Sequence, residues 1–123
     1  MASNELPLVS VEVLRDLEDS LEGQGQQSRA FVCRYVRLWP ARFDRIHSAV
    51  AAARSDEAIE ATLSLYAASS MAGALRLSGQ AAQLIQLLKG RQWLRAAQEL
   101  EDLQGCGNHT AAALTAIYLC PTP

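Results

Sequence analysis

Ala58, Thr62, Leu65, Ser69 and Ala72 recur at alternating intervals of four and three, the spacing of one face of an α-helix. All but Leu65 are small. A helix that turns such a face inward lets a neighbouring backbone come close, so the chain has to be built on tight helix–helix packing. Composition agrees: half of the residues are apolar, only 6% are aromatic, and Ala and Leu dominate. Straight-chain and small residues favour helices, and the β-branched and aromatic residues that favour a sheet are sparse.

The same periodicity divides the rest of the chain. Residues 1–9 read as a flexible lead-in ended by Pro7, and 10–120 as a single helical domain. Ser10 is placed to cap a short first helix with Glu12 in its first turn and Leu14, Leu17 and Leu21 on one face, ending at Gly23. Gly23-Gln-Gly-Gln-Gln-Ser28 reads as a polar loop. A long second helix is expected from about Ser28 to Arg54, with Phe31, Tyr35, Leu38, Phe43, Ile46 and Val50 as its apolar stripe. Pro40 falls inside it and should bend it. Ser55-Asp-Glu57 opens the third helix with a capping hydroxyl and two acids, and Gly73 ends it. Leu77, Ala81, Leu84 and Leu88 define a fourth helix, with Gly90 as its C-terminal cap. A fifth carries Trp93, Ala97, Leu100 and Leu103 until Gly105-Cys-Gly107 interrupts it. Asn108 is a candidate cap for a last helix with Ala111, Leu114, Ile117 and Tyr118, stopped by Pro121, and whether that helix is continuous with the fifth across Gly105-Cys-Gly107 stays open. The expected fold class is all-α: an antiparallel four-helix bundle with a short N-terminal helix.

Several functions are disfavoured. A formal charge of −2 without any Lys/Arg-rich run speaks against nucleic acid. No apolar stretch reaches membrane-spanning length, and the N-terminal residues lack the basic and apolar regions of a secretion signal. Cys33, Cys106 and Cys120 show no Cys-x-x-Cys spacing and read as idle thiols of a reducing compartment, although a Cys106–Cys120 disulfide stays open. A soluble cytoplasmic protein without a cofactor is expected.

Leu63 to Ala74 read Leu-Ser-Leu-Tyr-Ala-Ala-Ser-Ser-Met-Ala-Gly-Ala. This stretch resembles the motif of histidine-containing phosphotransfer (Hpt) domains, His-x-Leu-Lys-Gly-Ser-Ser-x-x-x-Gly-Ala. Leu65, Ser69, Gly73 and Ala74 match it, and Ala67 and Ala68 are small where it wants small residues. The likeness extends from about Val11 to Leu119. Val13-Leu-Arg-Asp-Leu17 resembles the family's opening helix, Phe31 to Ala53 its second, and Ser55-Asp-Glu-Ala58 the start of its motif helix. Leu75-Arg-Leu77 through Leu84 is similar to the segment after the motif, with Leu84-Ile85 where a Leu-Glu pair is common. The chain looks like a variant found among actinobacterial members.

In the family, the resemblance implies, an exposed histidine accepts a phosphoryl group, a lysine three residues on offsets its charge, and a glycine lets a receiver domain dock closely. The matching positions here are Leu63, Tyr66 and Ala67. Leucine has no lone pair to attack phosphorus, so no enzyme is expected at that position. The expected role is a non-catalytic signalling module of a two-component phosphorelay. It would bind a response-regulator receiver domain or a histidine kinase through the third helix.

Periodicity points to the same surface without the family. With Ala58, Thr62, Leu65, Ser69 and Ala72 inward, Ile59, Leu63, Tyr66 and Ser70 face outward, and Ile85 of the next helix is expected near them. Together with Ala67 these form the candidate partner-binding set. The plainer alternative rotates the helix and buries Leu63 as ordinary core. Other uses remain open: a homodimer formed through the same stripe, or phosphotransfer through His47, which lacks the following Leu-Lys-Gly. His109 reads as a solvated helix-start residue. Cys106 and His109 lack the further ligands a structural zinc needs and the third residue a catalytic base needs, so no metal site is expected. Asp16, Glu18, Asp19 and Glu22 form an acidic helix face. Arg34, Arg37, Arg42 and Arg45 flank Pro40, either as a solvated face or as a complement to an acidic receiver pocket.

Overall fold

The computed structural model describes residues 6–20 and 25–119, which form helices and turns without strands. The helices are α1 (Val11–Ser20), α2 (Gly25–Ala51), α3 (Ser55–Met71), α4 (Leu75–Lys89) and α5 (Trp93–Leu114), followed by a widened π-type turn at Thr115–Leu119. Each of the four long helices packs against the next, and α5 returns to α2. None of the described helices is long and apolar enough to cross a membrane.

Three three-residue turns join the long helices, and all three use one device. Ala53, Gly73 and Arg91 take left-handed backbone conformations with φ of 54°, 77° and 54°. In each turn the following amide reaches five residues back: Arg54 to the Ala49 carbonyl, Ala74 to Ser69 and Gln92 to Leu87, each at 2.9 Å. This is the Schellman motif, which satisfies carbonyls that a helix end leaves orphaned. Gly90 is therefore not the left-handed cap that its identity suggests; Arg91 is. Ser55 likewise lies inside α3, and the capping position is held by Arg54 without a side-chain cap. The acids Asp56 and Glu57 still occupy the first turn, where they favour the helix dipole.

Ser10 does cap α1, accepting the Val13 amide at 3.2 Å. Leu14 is buried and Leu17 half-buried, while Leu21 and Gly23 lie outside the described residues. Of the lead-in, residues 6–9 lie against the start of α4. The Pro7 carbonyl accepts the Arg76 amide at 3.0 Å, the Leu6 carbonyl accepts Arg76 Nε at 3.0 Å, and Leu8 and Val9 pack on the core.

The second helix departs from expectation in two ways and continues, as expected, through Pro40, whose ring is exposed. It starts at Gly25, so part of the expected polar loop is helical. Its buried stripe is Val32, Tyr35, Trp39, Phe43, Ile46 and Val50. Phe31 and Leu38 are only half-buried flanks, because Val32 and Trp39 complete the three-and-four spacing better than they do.

The largest correction concerns α5, which runs unbroken through Gly105-Cys-Gly107. Gly107 faces Trp39, and a Cβ built on it would lie 1.9 Å from Trp39 Cζ2. The glycine admits an indole ring; it does not break the helix. Asn108 accepts the Trp39 indole N–H at 2.9 Å and so is a partner of the core, not a cap. Ala96 is buried and Ala97 exposed. The π-type turn inserts an extra residue, which leaves Ile117 exposed and brings Tyr118 inward. Tyr118 donates to Glu18 Oε2 at 2.7 Å, and Ser28 supplies the hydrogen of its own 2.7 Å bond to Tyr118. The end of the described chain thereby ties α1 to α2.

Tyr35 and Ser69 share a 2.6 Å hydrogen bond between α2 and α3. Burial pushes the Tyr35 phenol up from 10.0 to about 12, against the lowering effects of Ser69 and the Arg42 charge. A folded-state value above the unfolded one gives stability that is present below pH 10 and lost as pH rises towards 12. The loss attributable to Tyr35 is about 2–3 kcal/mol. Urea unfolding at pH 8 and pH 11.5 is expected to show about 2 kcal/mol of this loss, and Tyr35→Phe should shrink it while costing about 1 kcal/mol at pH 8.

Candidate docking surface

The small-residue face of α3 is turned inward along its whole length. Ala58, Thr62, Leu65, Ser69 and Ala72 are all fully buried, and the Thr62 hydroxyl is satisfied by the Ala58 carbonyl at 2.7 Å. That burial fixes the opposite face by helical geometry. Leu63 is 46% exposed, Tyr66 40% and Met71 52%, and Ala67 is exposed between them. Leu63, Ala67 and Met71 are successive steps of four along one outward stripe. Met71 was legible in that phase but absent from the sequence-based set.

The other three candidates are placed differently. Ile59 is half-buried and packs against the core. Ser70 is half-buried and donates to the Tyr66 carbonyl at 2.9 Å, and Ser78 of α4 completes a 2.8 Å bond to the Ser70 hydroxyl. Ile85 is only 5% exposed, so it is not a surface neighbour of Leu63. Ser78 and Ile85, seven residues apart, share one stripe of α4, and the Ser70 contact turns that stripe toward α3.

Gly73 shows why the motif's glycine is needed here. Its φ of 77° suits glycine, and its carbonyl accepts the Ser10 amide at 2.7 Å. A Cβ at this position would lie 2.8 Å from the Ser10 carbonyl oxygen. The end of the exposed helix is thus clamped by the segment leading into α1.

The exposed strip carries no nucleophile matched to a base. His47 is exposed, 6.0 Å from the Phe43 ring, and lines a recess with Ala97, Leu100 and Gln104 of α5, away from α3. His109 is exposed on α5 while Cys106 is buried. Burial pushes the Cys106 thiol up, with Thr110 and Arg76 opposing more weakly, which keeps it from the thiolate that attack or metal binding requires. Cys106 carries a free thiol, and Cys120 lies outside the described residues. Among the described residues no three His, Cys, Asp or Glu side chains come together as a metal site would require. Of the basic group, Arg45 pairs with Glu60 of α3 at 3.2 Å, an exposed contact worth little by itself.

No protein-family model, curated protein or solved structure matches the chain.

Proposed function

We propose that this chain is a non-catalytic, Hpt-like signalling module. It would use the exposed face of α3 to bind a receiver domain or a histidine kinase without passing phosphate. The observation that carries the reading is the exposure of Leu63 at the motif's acceptor position, on a helix whose other face is wholly buried. Tyr66 replaces the countercharge with a large apolar ring and one polar tip, a combination suited to a protein contact. Ala67 keeps close approach open.

The proposal extends to architecture: α2 to α5 as the antiparallel four-helix bundle of that family, with α1 as the short leading helix. Three-residue turns and the packing of α5 on α2 support this arrangement.

The test is binding of receiver domains and kinase dimerisation domains from the source organism. Leu63→Ala or Tyr66→Ala should weaken the complex by at least about 1 kcal/mol, roughly fivefold. Unchanged affinity removes the reading. A tight dimer in sedimentation at micromolar concentration, dissociated by Leu63→Glu, would assign the face to a second copy instead.

A further inference from the structure

Arg34 and Arg42, eight residues apart on α2, line one recess of about 190 Å³ together with Phe31, Tyr35, Leu38 and, from α3, Ala68. Two arginine side chains therefore line a small space with aromatic and aliphatic surface, and no carboxylate lines it. Arg45 and Arg54 have acidic partners in Glu60 and Glu57. Arg42 has none among the described residues. Its Nη1 is out of reach of water and without a hydrogen-bond partner, and its guanidinium carbon sits 5.9 Å from the centre of the Tyr35 ring. An arginine fork is shaped for the two oxygens of a carboxylate; Nη1, closed even to water, is not the atom that meets it. The apolar lining favours an anion carried on a hydrocarbon stem over a free, strongly hydrated phosphate.

Position supplies the rest of the argument. Ala68 directly follows Ala67 of the exposed strip, so a segment lying along α3 has the recess at its edge. We infer that the recess is a subsite for an acidic side chain of a protein docked on α3. The stem of that side chain lies over Phe31, Leu38 and Ala68, and its carboxylate lies between Arg34 and Arg42. That the occupant comes from a protein partner rests on the docking reading above; the carboxylate chemistry rests on the recess itself.

The experiment needs no receiver or kinase. The full chain is titrated with acetyl-Ala-Glu-Leu-Glu-Ala-amide, with its Gln counterpart and with inorganic phosphate, and ¹H–¹⁵N spectra are recorded. The Glu peptide is expected to shift the Arg34 and Arg42 side-chain N–H signals and the Ala68 amide saturably. It should bind at least about fivefold tighter than the Gln peptide. Arg34→Gln and Arg42→Gln should each erase that preference, whereas Arg37→Gln, an exposed change on the same helix, should keep it. Arg34 is itself exposed, so its variant reports on the recess even where Arg42→Gln disturbs packing. Equal affinity of the two peptides, a preference that survives both recess substitutions, or phosphate saturating these signals more tightly than the Glu peptide overturns the inference. A negative result leaves the Leu63 docking test intact, and a failed docking test leaves the peptide result intact.

Discussion

Replacing Gly107 with alanine is expected to cost about 3 kcal/mol, which for a chain of this size lowers the thermal midpoint by roughly 10 °C. The new methyl group would lie 1.9, 2.2 and 2.3 Å from three atoms of the Trp39 indole. Those atoms belong to a rigid ring whose N–H is held by Asn108 at 2.9 Å, so the ring cannot swing aside cheaply. Gly105→Ala supplies the opposite sign two residues away. Nothing lies within 4 Å of a Cβ there, and alanine is the better helix former by about 1 kcal/mol, so that variant should be the more stable one. Trp39→Phe combined with Gly107→Ala should cost less than the sum of the two single changes, because the smaller ring vacates the space that the methyl needs. Thermal melts of the four variants check all of this. Equal, small effects at 105 and 107 would mean that α5 does not approach Trp39 this closely.

Two leucines two residues apart on α3 should behave as opposites. Leu65 is fully buried and Leu63 is 46% exposed. Leu65→Ala removes core contacts and leaves a cavity, at about 2–5 kcal/mol of stability. Leu63→Ala should stay within about 0.5 kcal/mol of the parent, as surface changes do, yet weaken partner binding at least about fivefold. Urea unfolding reads the first effect, and calorimetric titration of a receiver or kinase domain reads the second. A Leu63→Ala variant as unstable as Leu65→Ala would mean that Leu63 is core, and the docking face would disappear with it.

The inward face of α3 was readable because it has an internal check: five positions in one helical phase, four of them small, all fully buried. Exposure of Leu63 and Tyr66 followed from it, whereas Ile59 and Ser70, expected outward as well, are half-buried, and Met71, four residues beyond Ala67, was missed. Ile85 was misplaced because phase on α4 locates the core stripe but not the seam with α3, and the Ser70–Ser78 contact that turns the helix is a tertiary fact. The glycines of α5 misled for a related reason. Gly-x-Gly reads locally as a break, whereas Gly107 is there for a tryptophan ring on a distant segment. Trp39, Gly107 and Asn108 make sense only together, and no spacing rule joins them. The turns show the same limit: Gly73 announces its left-handed conformation, but Ala53 and Arg91 adopt theirs because the hydrogen bonds of the helix end require it.

The account turns on Leu63 as a point of contact that cannot carry phosphate. Mixing the chain with a ³²P-phosphorylated receiver domain from the source organism, and following complex and label together, tests this most directly. The expected result is a complex that Leu63→Glu abolishes, with all label remaining on the receiver or lost to water. Label appearing on this chain, at His47 or His109, would contradict it, as would the absence of a complex with every receiver domain and histidine kinase of that organism.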